Sequence, residues 1–476
     1  MKSYLKHYID GAWVDSDGGT RHDVIDPSTE QPVSEIMLGS KADADKAVAA
    51  AKRAFASWSQ TSVADRIALL ERIIEEYKAR IPDLAAATSE EMGAPIGFAQ
   101  MAQAPAGLGY FIGTLAALKE FRFSENVGKA RVVHEPLGVV AMITPWNWPL
   151  NQICAKVAPA LAAGDTMILK PSEEAPGCAV ILAEILDKAG VPAGVFNLVN
   201  GDGPGVGSAL SSHRDVDMDS FTGSTRAGIA VAQAAATTVK RVHQELGGKA
   251  PNVVLEGADL GAVLPPTIQG VLANSGQSCI APTRLLVHKS QVADATQVVK
   301  SIMEATPIDA ASVMGAHIGP VVNKAQYEKI QGLIQSAIDE GATLVTGGTG
   351  RPDGRNAGFF VKPTLLADVT PDMRIYREET FGPVATITSY DDGDQAVEMA
   401  NDTDYGLSAT ISGDPAEAAK IAGKLRAGLV TINSWSPGGG APFGGYKQSG
   451  NGREGGKYGL VDFMEVKTIV GEPSPA

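Results

Sequence analysis

The sequence predicts an α/β protein built as two doubly wound parallel-sheet lobes, and three observations carry that prediction. From about residue 138, short apolar, β-rich runs alternate with helix-like segments. A second alternation of the same kind follows Cys279. Two further stretches, FSENVGKARVVHEPLG (123–138) and VDFMEVKTIV (461–470), read as a hairpin and a terminal strand that fit neither series. Strands joined through crossover helices form parallel sheets covered by helices on both faces, so their strands read as near-continuous apolar runs.

Taken in order, SKADADKAVAAAKRAFASW (40–58) places apolar residues at helical spacing behind a capping serine, Ser40. The span 64–93 repeats that pattern, and Pro82 is expected to break it, because a proline inside a helix removes a hydrogen bond and crowds the preceding turn. Strands are then expected at 138–144, 166–170, 195–199, 218–223 and 252–256. Between them NQICAKVAPALAAG, GCAVILAEILDKAG, GVGSALSSH and RAGIAVAQAAATTVK read as helices. The second series has RLLVH (284–288), helices near 291–305 and from Lys324 to Asp339, and strands near 342–346 and 384–390. GLVTINSW (428–435) closes it.

Composition narrows the function. At ~100–200 residues per domain, 476 residues suggest two to four domains. A net charge of −14 offers no basic face for nucleic acid. No apolar run reaches the ~18 residues a membrane span needs. The three cysteines, Cys154, Cys178 and Cys279, form neither a disulfide framework nor a Cys/His zinc cluster, so no metal is expected and a reduced, cytoplasmic setting is. The start MKSYLKHYIDGAW lacks the apolar stretch of a secretory signal.

Several short stretches can carry chemistry. In NSGQSCIAPTR (274–284), Cys279 sits among Ser275, Gly276 and Ser278, which leave room for a substrate. A free thiol ionises near pH ~8.5 and needs charge or dipoles to act as a nucleophile, so Cys279 reads either as one or as a structural cysteine in a turn. In QELGGKAPNVVLE (244–256), Glu245 precedes a paired-glycine turn and reads as a general base or as a solvated helix-terminal carboxylate. In TPWNWPL (144–150), Asn147 is an amide donor for an oxyanion or the cap of a turn held by Pro145 and Pro149. KPSEEAP (170–176) offers Lys170 and Glu173 to a ribose, or is a strand end with Ser172 capping the next helix. FTGSTRAG (221–228) reads as strand, glycine turn and helix start, whose free N–H groups and Ser224 hydroxyl suit a diphosphate. GDGPGVG (201–207) fails the GxGxxG pattern because Val206 occupies the third glycine's place. No histidine lies in a recognisable Cys–His hydrolase signature.

Taken together and in order, TPWNWPL, LKPSE, FTGST, ELGGKAPNVV, NSGQSC, EETFGPV and PFGGYKQSGNGRE resemble the NAD(P)-dependent aldehyde dehydrogenase superfamily over nearly the whole chain. The resemblance implies a Rossmann-like cofactor lobe at 1–122 and 139–246 and a catalytic lobe at 247–455. It also implies a small bridging β segment at 123–138 and 456–476 that builds a homodimer or homotetramer. The cofactor would be NAD, with NADP possible, and the partner a small-molecule aldehyde. Cys279 would form a thiohemiacetal and then a thioester, Asn147 would hold the oxyanion, and Glu245 would activate water. Glu454 in GRE would be an auxiliary glutamate. Thr144, Pro145, Trp146, Gly223 and Ser224 would line the cofactor, with Glu245, Leu246 and Gly247 beside them. Glu379 and Phe381 would hold the nicotinamide end. Lys170 and Glu173 would hold the adenosine ribose and Ser224 the diphosphate, with Ser172, Gly203, Gly207 and Phe221 also binding the cofactor. Glu173 favours NAD because its charge repels a 2′-phosphate. The alternative is a CoA-acylating semialdehyde dehydrogenase, against which Glu245 argues. Ala273 and Ile280 depart from the family pattern, implying a widened tunnel with Trp148, Trp435 and Phe443 as apolar walls.

Overall fold

In the computed structural model, which describes residues 1–434 and 440–471, the first predicted helix is Lys41–Trp58, and Ser40 closes a capping box with Asp43 at its head. The expected break at Pro82 also forms: Val63–Ala79 and Ile81–Met92 are separate helices divided at Arg80. Pro82 sits in the first turn of the second, where its missing N–H costs nothing.

Eight strands form the larger sheet, in the order Gly450–Asn451, Arg241–Glu245, Met218–Thr222, Val139–Ile143, Thr166–Lys170, Phe196–Leu198, Lys6–Ile9, Ala12–Asp15. The five from Arg241–Glu245 to Phe196–Leu198 run parallel. Both faces are covered. Met142, Met167 and Leu169 pack on one side with Leu150, Ile153 and Leu182, while Ala141 and Ile168 pack on the other with Ala47 and Val48. Successive residues of a strand point to opposite faces, so this pairing is the doubly wound arrangement. The chain order reverses between Val139–Ile143 and Met218–Thr222, which makes the carboxyl ends of those strands the switch point where such sheets bind ligands.

The second sheet has seven strands, in the order Thr343–Thr346, Thr364–Ala367, Val384–Tyr390, Arg284–His288, Pro251–Val254, Ser408–Ser412, Leu429–Ile432. Here the sequence reading needs a correction. The run at 252–256 belongs to this sheet, paired to Arg284–His288 and Ser408–Ser412, so the second series begins before Cys279 rather than after it.

Ser124–Val127 and Ala130–Pro136 form the expected hairpin, and Met464–Val470 adds to it antiparallel, as its third strand. Val461 and Asp462, read as part of that strand, instead end the helix Gly456–Asp462. Residues 1–38, for which the sequence suggests no strand, supply the last two strands at one side of the first sheet and a separate three-stranded one.

Candidate active site

Register aligns the first sheet's functional edge. Lys170 pairs with Ile143, Ile143 with Phe221, and Thr222 with Glu245, so these residues stand in one row at the carboxyl ends of their strands. Facing them are loops that enter the second sheet: Cys279 lies shortly before Arg284–His288, and Glu379 and Phe381 shortly before Val384–Tyr390. The site therefore joins the carboxyl edge of one sheet to the amino edge of the other.

A cleft of ≈ 600 Å³, its open mouth included, brings together Pro145, Trp146, Asn147, Gly223, Ser224, Leu246, Gly247, Cys279, Glu379 and Phe381. Gln152, Thr222, Gln326 and Lys329 line it as well and were missed in the sequence, where nothing marks them. The Cys279 loop has an unusual backbone. Asn274 and Ser275 adopt φ of 56° and 57°, and Gly276 follows at 75°. A Cβ on Gly276 would lie 2.1 Å from the Gly382 carbonyl, so only glycine fits. Non-glycine residues hold such a conformation only where surroundings enforce it, and here they do. Gln103 Nε2 donates to Asn274 Oδ1 (3.0 Å) and to the Asn147 carbonyl (3.1 Å), and Ser275 Oγ donates to the Gly319 carbonyl (2.8 Å). Gln277 Oε1 accepts from the Val322 N–H at 2.9 Å. Gln103 comes from a π-helical stretch, Ala99–Gln103, and carries no sequence signal of its role.

Asn147 is buried, and its Nδ2 donates one hydrogen to the Gln277 carbonyl at 3.1 Å. An amide nitrogen carries two, so a second is free for a ligand. Trp148 Nε1 donates to Ser278 Oγ at 2.8 Å, and its ring meets Phe98 edge-on at 5.5 Å. Burial pushes the Cys279 thiol well above its ordinary range, reinforced by the carboxylates of Glu379 and Glu245. The resting sulfur is thus protonated.

Glu245 ends a strand, not a helix, which removes the solvated reading. It is 2% exposed, and neither carboxylate oxygen has a hydrogen-bond partner. Burial and the like charge of Glu454 hold its carboxyl well above the usual carboxylate range. Glu454, also buried, accepts from Lys156 Nζ at 2.6 Å. Glu379 Oε1 accepts from the Gly248 N–H at 2.8 Å, and a Cβ on Gly247 would lie 2.7 Å from Glu379 Oε2. Phe381 meets Trp146 edge-on at 5.5 Å.

A second, larger cleft of ≈ 1020 Å³ collects Glu173, Gly203, Gly207 and Phe221, together with Ile143 and Arg226. The two clefts flank the turn from Phe221 to Ser224. Lys170 lies behind the second, buried, donating to the Gly201 carbonyl at 2.7 Å and to Glu173 at 3.2 Å. Thr144 is buried and lines neither cleft. Ser172 does not cap a helix: its hydroxyl accepts from Glu174 N–H at 3.3 Å, and the next helix starts only at Gly177. Ser224, in contrast, is the N-cap of Thr225–Ala235. Two clefts joined across a helix N-terminus at the switch point are the shape and polarity a dinucleotide requires.

Of the expected tunnel walls, Phe443 is half-buried and backbone-paired with Glu454, and Trp435 lies outside the described residues. Among the described residues no group of metal-ligating side chains converges, and no helix is long and apolar enough to cross a membrane.

The profile of the Aldehyde dehydrogenase family matches residues 13–469. A curated relative from Pseudomonas sp., a 3-succinoylsemialdehyde-pyridine dehydrogenase, is 49% identical over 99% of both chains. The crystal structure of an aldehyde dehydrogenase from Bartonella henselae, 49% identical, superposes with a TM-score of 0.97 over 98% of this chain and 99% of that one. A mutant of aldehyde dehydrogenase C from Pseudomonas syringae, solved with NAD⁺ and octanal, is 46% identical and superposes with the same score, 0.97, over 99% of this chain and 98% of that one.

Proposed function

The chain belongs to the aldehyde dehydrogenase family, and from that premise we propose that it oxidises an aldehyde to a carboxylic acid on Cys279, by hydrolysis and with NAD as the preferred cofactor. The observation that supports this most is the meeting of Cys279 with Asn147 in one cleft, within electrostatic reach of the partner-free carboxylate of Glu245.

Glu245, as carboxylate, takes the thiol proton and the sulfur adds to the aldehyde carbon. The free Asn147 N–H and the Cys279 backbone N–H then hold the resulting oxyanion. Pro145, Trp146, Gly223, Ser224, Leu246, Gly247, Glu379 and Phe381 would hold the nicotinamide half of the cofactor. Glu173, Gly203, Gly207 and Phe221 would hold the adenosine half, with Thr144, Lys170 and Ser172 supporting the strand ends behind them. When bound, the nicotinamide supplies the hydride acceptor that turns the sulfur adduct into a thioester. Glu245 then takes one proton from water as its oxygen attacks the thioester; the sulfur leaves as thiolate and takes the acid's remaining proton, which gives the thiol and the carboxylate. Glu454, fixed by Lys156, serves that carboxylate from behind. Water activation needs a buried base, which CoA acylation does not.

Glu173 on the wall of the adenosine cleft supports NAD over NADP, as does the NAD⁺ bound to the P. syringae relative. The octanal bound to the P. syringae relative and the 3-succinoylsemialdehyde-pyridine for which the Pseudomonas sp. relative is named support an uncharged aldehyde with an apolar or aromatic tail. Assembly as a homodimer or homotetramer would use the three-stranded sheet of 123–138 and the C-terminal strand, where Val127, Val466 and Val470 are exposed. The lobes would divide as the resemblance implies, in a cytoplasmic protein.

The test is NADH absorbance with NAD⁺ and aliphatic, aromatic and semialdehyde substrates, first without CoA and then with it. NADH formed without CoA, and lost in Cys279→Ala, is the expected result. NADH formed only with CoA overturns the hydrolytic reading.

A further inference from the structure

His243 stands two residues before Glu245 on one strand, so both side chains leave the same face of the sheet. Its Nε2 is 4.0 Å from Glu245 Oε1, and its Nδ1 is 2.8 Å from Asp462 Oδ2. The His243 and Glu245 side chains are each 3% exposed, whereas Asp462 is 30% exposed. Three titratable groups therefore form a file from the buried carboxylate to the surface. Gly452 closes over it: a Cβ there would lie 2.7 Å from Asp462 Oδ2 and 2.8 Å from His243 Nδ1.

The proposed reaction needs such a path. Converting an aldehyde, water and oxidised nicotinamide to a carboxylate and reduced nicotinamide releases two protons. Glu245 would collect one from the thiol and one from water, so it must be emptied between the two steps. The Lys156–Glu454 pair behind it has no exposed end, since its side chains are 0% and 2% exposed.

We propose that His243 and Asp462 form the proton exit for Glu245, an inference that rests on reading Glu245 as the base. Nδ1 lies beside Asp462 Oδ2 outside hydrogen-bond alignment, and a small turn of the ring brings an Nδ1 proton onto that carboxylate, leaving the Nε2 lone pair toward Glu245. The Glu245 O–H bond breaks as an N–H bond forms at Nε2. The imidazolium then gives its Nδ1 proton to Asp462, which releases it to water, and a turn of the ring restores the first tautomer. No electrons change hands. The 4.0 Å gap closes by a torsion of Glu245, whose oxygens no hydrogen bond restrains. The charges facing this file are Glu454, Lys156 and Arg453 at its inner end and Arg241 at Asp462. The Arg453 N–H also donates to Asp462 Oδ2 at 2.7 Å, which fixes the outer carboxylate. His243 and Asp462 are thus positioning residues, acting through Glu245.

The experiment compares the full chain with His243→Gln, His243→Ala and Asp462→Asn by stopped-flow NADH formation across pH. NADH of the first turnover forms before water is activated, and so before Glu245 must be emptied, so the first-turnover burst is expected to survive in every variant. Steady turnover should fall roughly tenfold, with KM for NAD⁺ unchanged, and added imidazole should restore part of the rate in His243→Ala but not alter the wild type. Steady rates that stay at the wild-type value overturn the exit. Burst and turnover lost together, with no rescue by imidazole, overturn it too, because they mark a packing role. Wild-type turnover without CoA, measured in the same run, separates the two readings. Its absence overturns the hydrolytic assignment and this exit with it, whereas normal wild-type turnover with unaffected variants overturns the exit alone.

Discussion

Lys156 Nζ lies 2.6 Å from Glu454 Oε1, and both side chains are buried. The helix Pro149–Ala163 carries the cation, and the anion arrives from the far end of the chain, so the pair ties two distant segments together behind Glu245. Removing one partner of a buried ion pair leaves an uncompensated charge, which costs about 3–5 kcal/mol. Lys156→Met should lose stability of that order in urea denaturation, and Lys156→Met with Glu454→Leu should recover most of it. A single variant as stable as the wild type would show that the pair contributes nothing net.

The oxyanion role of Asn147 has a cleaner signature in rate than in stability. One amide hydrogen is spent on the Gln277 carbonyl, so the side chain is already aimed before substrate arrives. Removing one such donor costs about 10²–10³ in kcat. Asn147→Ala should show that drop with KM for NAD⁺ little changed. An equal loss in NAD⁺ affinity would instead mark Asn147 as a structural cap of the loop, the other reading its sequence allows.

These residues also show what the sequence could carry. Cys279, Asn147, Glu379 and Phe381 converge because each follows or precedes a strand whose apolar run is plain in the chain, and a strand end dictates where its loop projects. Gln103 and Lys156 sit instead in helix interiors, where a polar residue looks like any solvated position until a loop from elsewhere packs on it. The 252–256 run reads as part of the first series for a related reason. An apolar strand records that it is buried but not which neighbours bury it, and Pro251–Val254 finds its partners 33 and more residues downstream. Lys170 reads as a ribose contact from its strand end, and its ammonium also reaches the Gly201 carbonyl, a partner that only the three-dimensional register reveals.

The pH dependence of turnover follows from Glu245. Burial and the charge of Glu454 raise its carboxyl well above the usual range, so it must lose a proton before it can act as a base. The rate should therefore rise with pH. Glu454→Gln removes the like charge and releases the Lys156 ammonium, and both changes favour the Glu245 carboxylate. The rising limb of kcat against pH should move to lower pH in that variant. A limb that stays in place would mean another group controls it.

Asp219 makes a prediction of opposite sign for stability. It is the second residue of the strand Met218–Thr222, fully buried, with no hydrogen-bond partner for either carboxylate oxygen. Burial pushes its carboxyl up to about 7 from an ordinary 3.8, with Lys240 opposing the rise. The folded state thus holds the proton more tightly than the unfolded one, so stability is fully present below about pH 4 and is lost as pH rises toward 7. At ~1.4 kcal/mol per unit, the loss is of the order of 4 kcal/mol. Asp219→Val replaces the carboxylate with an apolar group suited to a strand, and Lys240 keeps its bonds to the Ser211 and His213 carbonyls. The variant should gain little at pH 4 and most at pH 8, read as the difference in denaturation midpoint from the wild type at each pH. A gain equal at both pH values would place its origin in packing, and a loss at pH 8 would show that the carboxylate has a partner when ionised.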